Sequence, residues 1–232
     1  MTDYRPRLTE AEQRRIRAWH DSALAMMRVE AGAAGQTFDY LGLSLFVPPQ
    51  VQPITGMSHL LGEAVLAEVR PQDRVLDMGT GSGVNALLAA GTAREVVALD
   101  VNPEAVTAAR ANAERNGVRI DVRESDVFSA LTDADGRFDL VVFDPPFRWF
   151  EPRDLLEQAT ADPGYRALTA FFAQVRRHLA PGGRVLLAFG SSGDLAYLRE
   201  LMDRHGFTVQ EVARAELVRD GVTVEYLTFR LH

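Results

Sequence analysis

The 232-residue sequence contains no cysteine. This absence excludes disulfide bonds, thiolate nucleophiles and metal sites with cysteine ligands. The five histidines show no metal-ligand spacing, so we predict no metal ion. No apolar run approaches the ~20 residues that span a bilayer, and the first residues lack the apolar core of a secretory signal. These absences predict a cytoplasmic protein with no membrane partner.

Positive charge is also in deficit, with 25 Lys and Arg residues against 32 Asp and Glu residues. Broad binding to nucleic acid relies on neutralising phosphates, so the net charge of −7 argues against it. A local basic cluster nevertheless lies near the N-terminus, at Arg5, Arg7, Arg14, Arg15 and Arg17. A solvated helix face is the simpler interpretation of this cluster, and a nucleic-acid contact is the alternative.

The C-terminal two thirds of the sequence have a regular pattern. From Asp73 onward, short apolar runs alternate with helical segments, which predicts βαβ units and a mainly parallel sheet. Near the C-terminus, two strand-like runs are joined only by residues 218–221, so they must be antiparallel neighbours. The predicted fold class is therefore α/β, a doubly wound sheet that ends in a C-terminal β-hairpin.

The N-terminal quarter has a different character. Thr9 and Glu12 form a potential capping box, which predicts that a helix starts there and runs to about Val29. Short extended stretches and a proline-rich loop follow. We therefore divide the chain into residues 1–56, a helical extension with an entry loop, and residues 57–232, a ligand-binding domain.

A glycine-rich turn, GTGSG, follows the first strand of the regular region. Gly79, Gly81 and Gly83 allow a ligand to approach the backbone closely, although a tight turn alone also favours glycine. The dinucleotide pattern G-x-G-x-x-G requires glycine at position 84, where this chain has Val84. Asp77 precedes the turn, and a carboxylate there suits an ammonium group better than a diphosphate.

Carboxylates also end the next two strands. Asp100, 23 positions after Asp77, can accept hydrogen bonds from two ribose hydroxyls. Asp126 can accept a hydrogen bond from an adenine amino group, with Val101 and Val127 packing against the ring. A solvated loop acid is the alternative for Asp126. Together these residues indicate a nucleoside that carries an amino-acid tail.

The motifs DMGTGSG, ALDVNPEAV and ESDVF, followed by the closing hairpin, resemble those of class I S-adenosylmethionine-dependent methyltransferases. The resemblance extends from about Met57 to His232. It implies a seven-stranded Rossmann-like sheet whose last strand is antiparallel, with S-adenosyl-L-methionine as the cofactor. The cofactor-binding residues that we predict are Asp77, Gly79, Thr80, Gly81, Gly83, Asp100, Val101, Asp126, Val127 and Thr55.

The stretch VVFDPPFRWF ends the fourth strand, where a methyl acceptor would meet the sulfonium. It resembles the (Asn/Asp)-Pro-Pro-(aromatic) motif of methyltransferases that act on planar nitrogens. The Asp144 carboxylate and the Pro145 carbonyl can accept the two hydrogens of an NH2 group, and Phe147 can stack on a flat substrate. The predicted catalytic residues are Asp144, Pro145 and Phe147, and the predicted substrate-binding residues are Pro146, Arg148 and Trp149. An ordinary turn with packed aromatics is the alternative.

The sequence leaves three alternatives for the molecule that accepts the methyl group. The segment before the first domain helix, with Pro53, Thr55 and Gly56, is similar to the entry region of release-factor glutamine methyltransferases and related RNA methyltransferases. Those enzymes usually carry Asn-Pro-Pro-Tyr, whereas Asp and Phe at these positions are tolerated among adenine-amino methyltransferases. The candidates are a protein glutamine, a nucleobase in RNA or DNA, and a small metabolite with an amino, amide or guanidino group.

Two other function classes compete with a methyltransferase of the EC 2.1.1 type. An NAD(P)-binding oxidoreductase explains the sheet and the glycines, but it explains neither Val84 nor the DPPF motif. A silent cofactor-binding subunit keeps the sheet but does not need an intact acceptor motif. The oligomeric state cannot be read from the sequence.

Overall fold

The computed structural model describes residues 4–32, 34–219 and 221–232. The described strands are β1 Gln36–Tyr40, β2 Leu43–Val47, β3 Arg74–Met78, β4 Glu95–Asp100, β5 Asp121–Glu124, β6 Phe138–Phe143, β7 Leu179–Gly190, β8 Val209–Arg219 and β9 Val222–Leu231. The described helices are α1 Glu10–Ala31, α2 His59–Glu68, α3 Val84–Ala90, α4 Pro103–Arg115, α5 Leu155–Gln158, α6 Arg166–His178 and α7 Leu195–Arg204. Short 3₁₀ turns lie at Asp133–Asp135 and Pro163–Tyr165.

Seven of these strands form one sheet in the order β5-β4-β3-β6-β7-β9-β8. Strands β3 to β7 pair in parallel, whereas β9 pairs antiparallel with both β7 and β8. The predicted fold class is thus confirmed, including the closing hairpin. Asp220, in the link between the hairpin strands, lies outside the described residues.

Alternating side chains on the central strands build two separate cores. On β3, Leu76 and Met78 belong to one hydrophobic cluster and Val75 to the other. This alternation is the period of two that a sheet buried on both faces requires. Helices α6 and α7 pack with the first cluster, and α2, α3 and α4 pack with the second. Because β3, β4, β5 and β6 pair in parallel, their carboxyl ends share one edge of the sheet.

The N-terminal helix packs on the sheet domain. Its start is the predicted one, because the Thr9 side chain caps it and Glu12 completes the capping box. Ile16 is 7% exposed and shares a core cluster with Leu76. The division at residue 57 stays a prediction, and residues 1–3 and 33 of the extension lie outside the described residues.

Strands β1 and β2 form a separate antiparallel hairpin that is attached to α4. The Asn112 side chain donates to the Phe46 carbonyl at 2.8 Å and accepts from the Phe46 N–H at 2.8 Å. Asn116 makes the same pair of bonds to Ser44, each 2.9 Å long. These amide clamps satisfy the outer edge of β2 and fix the loop that follows it. None of the described helices is both long enough and apolar enough to cross a membrane.

Candidate active site

The glycine turn has the geometry that only glycine adopts without strain. Gly79, Gly81 and Gly83 have φ angles of 67°, 56° and 90°. Side chains rarely tolerate this left-handed region. At Gly83 packing adds a second constraint, because a Cβ would lie 2.9 Å from the Leu87 Cδ1 atom. The turn therefore brings bare backbone to the carboxyl edge of the sheet.

Asp77 lies directly beneath this turn and is 1% exposed. Its Oδ2 atom accepts hydrogen bonds from the Thr80 hydroxyl at 2.6 Å and from the Ala86 N–H at 3.1 Å. Burial raises the pKa of Asp77 to about 7. The two hydrogen bonds lower the pKa, and the nearby carboxylates of Asp100 and Asp144 raise it further. Both bonds end on Oδ2, so neither Thr80 nor Ala86 occupies the Oδ1 atom. A cation placed there would favour the ionised form.

Asp100 is held rigidly by two backbone amides. Its Oδ2 atom accepts from the Gly81 N–H and its Oδ1 atom from the Asn102 N–H, both at 2.8 Å. Burial raises the pKa of Asp100 despite these bonds. Each carboxylate oxygen retains a further lone pair for a hydroxyl donor. The side chain that caps α4 is that of Asn102, which accepts from the Glu104 N–H at 3.0 Å.

A cavity of about 340 Å³ lies along these residues at the carboxyl ends of the strands. This volume is at the lower end of the range typical of ligand sites. The predicted site residues that line it are Gly79, Thr80, Gly81, Asp100, Val101, Asp126, Val127, Asp144 and Pro146. The predicted residues that lie outside the lining are Asp77, Gly83, Thr55, Pro145, Phe147, Arg148 and Trp149. The structure thus brings the glycine turn, Asp100 and Asp144 to one cavity.

Asp126 already has a partner at one end of the cavity. Its carboxylate accepts from the Arg166 guanidinium at 2.9 and 3.3 Å, and both residues line the cavity. Val127 follows with a φ of 51°, an unusual value for a β-branched residue, and the Ser125 hydroxyl donates to its carbonyl at 2.8 Å. The predicted adenine contact of Asp126 stays a prediction, and it would compete with Arg166.

Asp144 stands at the other end, immediately after β6. The Asp144 side chain is exposed to solvent where it lines the cavity. The protein atoms packed around the carboxyl still desolvate it in part and raise the pKa of Asp144 to about 6, against the positive charge of Arg148. Near neutral pH most of this carboxyl is therefore ionised and can accept a hydrogen bond.

The residues that follow Asp144 pack into the protein. The Phe147 ring lies 5.1 Å from the Phe189 ring and 6.2 Å from the Tyr226 ring. Arg148 is 6% exposed and donates to the Ser192 hydroxyl at 3.0 Å. Trp149 is 8% exposed and belongs to the core. The structure places these three side chains behind the cavity wall, and their predicted contacts with a substrate stay predictions.

The entry loop lines the cavity through residues on either side of Thr55. Pro53, Ile54 and Ser58 line the cavity, whereas Thr55 forms the turn between them. The Thr55 N–H donates to the Ser58 hydroxyl at 3.1 Å, and the Thr55 hydroxyl accepts from the Met57 N–H at 3.3 Å. Thr55 therefore shapes the loop that lies over the cavity.

The segment after Trp149 forms a wall that the sequence analysis missed. Glu151, Gln158 and Arg166 line the cavity from this segment. The chain returns to the cavity because the backbone at Arg148 pairs with that at Ala161. The Asp-Pro-Gly triplet at 162–164 is a turn signal that could have marked this return.

A family model described as "Methyltransferase small domain" matches residues 56–216, more than half of the chain. The chain belongs to this family. The matched segment contains the glycine turn, the three strand-end carboxylates and the DPPF motif.

Several curated proteins are similar to this methyltransferase family member. It is 34% identical to a release factor glutamine methyltransferase of Koribacter versatilis over 66% of this chain, and it spans 60% of that protein's length. It is 30% identical to a putative protein N5-glutamine methyltransferase of Methanocaldococcus jannaschii, over 76% of this chain and 90% of that protein. It is 32% identical to a ribosomal protein L11 methyltransferase of Thermus thermophilus, over 80% of this chain and 67% of that protein.

Solved structures share the fold. A methyltransferase from Pyrococcus furiosus matches with a TM-score of 0.62 at 21% identity. The match covers 94% of this chain and 98% of the other. A 16S rRNA N2 methyltransferase from T. thermophilus, solved in complex with AdoMet and guanosine, has a TM-score of 0.63 at 25% identity. That match covers 84% of this chain and 49% of the other.

Proposed function

We propose that this protein transfers a methyl group from S-adenosylmethionine to a planar amide or amino nitrogen. The observation that carries the proposal is the position of Asp144. This carboxylate directly follows β6 and lines the same cavity as the glycine turn and Asp100. An acceptor group bound at Asp144 would therefore lie beside a ligand held by the turn.

The residues of the cavity fit the cofactor. Asp77 lies beneath the cavity lining and would offer Oδ1 to an ammonium group, and Asp100 keeps lone pairs for ribose hydroxyls. Val101 and Val127 offer apolar surface to a flat base. The cofactor supplies an electrophilic methyl group on a positively charged sulfonium. The carboxylates of Asp100, Asp126 and Asp144 around the cavity suit a ligand of positive charge.

The acceptor chemistry follows from the DPPF motif. A conjugated NH2 group is a weak nucleophile because its lone pair is delocalised. The Asp144 carboxylate and the Pro145 carbonyl accept its two hydrogens and favour lone-pair density on the nitrogen. After transfer the nitrogen is acidic, and the ionised Asp144 can take up its proton. Proximity and orientation supply most of the rest, about 7–11 kcal/mol in well-oriented systems.

The side-chain amide of a protein glutamine is the acceptor that we favour. The names of two of the relatives reported above point to it, and the net charge of −7 is unfavourable for broad nucleic-acid binding. A nucleobase amino group is the second candidate, because the 16S rRNA enzyme was solved with guanosine. A small metabolite with a comparable nitrogen is the third.

The test uses methyl-tritiated S-adenosylmethionine and a cell extract separated into protein, RNA, DNA and small-molecule fractions. We expect label in the protein fraction with the wild type, loss of label with Asp144→Ala, and retained label with Asp144→Asn, which keeps an acceptor oxygen. Binding of S-adenosylhomocysteine, measured by titration calorimetry, must survive in both variants. Label that is insensitive to Asp144→Ala contradicts the role of the motif. Binding of NAD in place of S-adenosylhomocysteine contradicts the proposed activity itself.

A further inference from the structure

Tyr165 is a buried tyrosine that joins two distant loops. Its hydroxyl donates to the Phe147 carbonyl at 2.5 Å and accepts from the Asp194 N–H at 2.7 Å. The side chain is 0% exposed, and its ring stacks on Tyr197 at 5.4 Å. The backbone φ of 52° is unusual for a residue that carries a Cβ. Such strain persists only where surrounding contacts enforce it.

Phe147, the last residue of the DPPF motif, is held at both ends. A Cβ added at Gly193 would lie 2.2 Å from the Phe147 carbonyl oxygen, so that backbone approaches the oxygen as closely as glycine allows. A Cβ added at Gly190 would lie 3.0 Å from the Phe147 ring. The turn after β7 therefore fits around Phe147, while Tyr165 fixes its carbonyl.

The far side of Tyr165 is anchored to the N-terminal segment. The Asp194 carboxylate accepts from the Tyr4 hydroxyl at 2.8 Å and from the Arg7 N–H at 2.7 Å. It also caps α7 by accepting from the Tyr197 N–H at 3.0 Å. A continuous chain of hydrogen bonds thus runs from Tyr4 through Asp194 and Tyr165 to the DPPF motif.

We propose that Tyr165 is a positioning residue for methyl transfer, because its hydroxyl sets the orientation of the DPPF acceptors through the Phe147 carbonyl. The two intervening prolines have fixed φ angles, so a shift at Phe147 is passed on to the Pro145 carbonyl and the Asp144 carboxylate. Tyr165 itself lies outside the cavity lining. The proposal rests on the proposed function of Asp144.

The test removes one oxygen atom. Tyr165→Phe keeps the ring and deletes the hydroxyl. Tyr197→Phe is the matched control, since its hydroxyl belongs to the same aromatic cluster but bonds to the Thr169 hydroxyl at 2.9 Å. We expect kcat to fall roughly 10–100-fold in Tyr165→Phe, with the Kd for S-adenosylhomocysteine within about two-fold of wild type. The control is expected to keep kcat near the wild-type value.

A second measurement does not depend on the acceptor. The Arg148 N–H donates to the Thr160 carbonyl at 3.2 Å, beside the fixed Phe147. We expect its hydrogen exchange to accelerate in Tyr165→Phe and to stay unchanged in Tyr197→Phe. If the wild type labels no fraction at all, the proposed function fails, while exchange at Arg148 still decides whether Tyr165 holds the motif.

Two results overturn the positioning role. The first is unchanged exchange at Arg148 together with an unchanged kcat. The second is an equal loss of kcat in both variants, which indicates general loosening. If Tyr165→Phe does not fold, Tyr4→Phe replaces it, because it removes one anchor of Asp194 from the same chain of hydrogen bonds. A several-fold fall in kcat is then expected, and an unchanged kcat overturns the proposal.

Discussion

The His20 Nε2 atom lies 2.8 Å from the Glu157 Oε1 atom, and each residue is 2% exposed. The pair joins α1 to α5, the helix whose end lines the cavity. Glu157 also accepts from the Arg153 backbone N–H and from its guanidinium, at 2.7 to 2.8 Å. The N-terminal helix therefore supports the cavity wall that follows the DPPF motif.

Replacing Glu157 by alanine is expected to destabilise the protein by about 2–3 kcal/mol, because several hydrogen bonds to a buried charge are lost together. The matched control is Asp21→Ala, which removes the exposed partner of the same Arg153. The control is expected to cost about 0–1 kcal/mol. Urea unfolding measures both changes, and equal losses in the two variants would contradict the role of the buried pair.

The same pair predicts a loss of stability in acid. Burial lowers the pKa of His20 below its usual 6.5, although the hydrogen bond to Glu157 opposes the shift. Between the lowered value and 6.5 the unfolded chain binds a proton that the folded chain does not, so stability falls as the pH drops through this window. Burial raises the pKa of Glu157, but the bonds from Arg153 and His20 outweigh it and lower the pKa to about 2.

The measurement is the free energy of unfolding at pH 7 and pH 5 in wild type and in His20→Gln. The variant is expected to lose less stability on acidification than the wild type. Asp77 and Asp144, with raised pKa values, act in the opposite direction in both proteins and cancel in this comparison. A steeper loss in His20→Gln would contradict the assignment.

Activity is expected to fall below about pH 6 because Asp144 then becomes protonated. Partial desolvation by the surrounding protein raises the pKa of Asp144 to about 6, against the charge of Arg148. A protonated carboxyl carries an O–H donor, whereas the NH2 group to be methylated needs a hydrogen-bond acceptor at this position. The acidic limb of kcat/KM is expected near this value in the wild type. It is expected to flatten in Asp144→Asn, and an unchanged limb in that variant would assign it to another group.

Asp77→Asn separates cofactor binding from stability. Burial raises the pKa of Asp77 to about 7, so its ionisation at pH 8 costs the folded protein about 4 kcal/mol relative to the unfolded chain. The variant is expected to be more stable than wild type by a few kcal/mol at pH 8, and this gain is expected to shrink to about 1–2 kcal/mol at pH 5, because the unfolded carboxyl is still ionised there. The Kd for S-adenosylhomocysteine is expected to rise about 10–100-fold, the worth of one charged hydrogen bond. A gain that is as large at pH 5 as at pH 8 would point to packing instead.

The parts of the fold that sequence could predict are those with local causes. Strand β3 is a short apolar run that leads into glycines, and the three left-handed φ angles of that turn follow from the residue type. The closing hairpin followed from the short link between two strand-like runs. The common position of Asp100 and Asp144 could be predicted because parallel strands end at one edge of the sheet.

The rest depends on contacts between residues that are distant in the chain. An aromatic after Pro-Pro looks the same in sequence whether it faces a ligand or a core. The structure places Trp149 against Tyr4, 6.4 Å away and near the start of the chain. Arg166 lies 40 positions from Asp126, and no periodicity relates the two residues. Pairings of this kind arise from tertiary packing and have no local signal.

The Asp126–Arg166 pair predicts a competition at the base end of the cavity. Both side chains are about half exposed, so the pair itself adds at most about 1 kcal/mol to stability. If Asp126 accepts from the adenine amino group, Arg166→Gln frees its carboxylate, and S-adenosylhomocysteine is expected to bind tighter by about 1 kcal/mol, or roughly five-fold in Kd. The inosine analogue of that ligand lacks the amino group and is expected to show no gain. Weaker binding of both ligands would instead identify Arg166 as a direct contact of the cofactor.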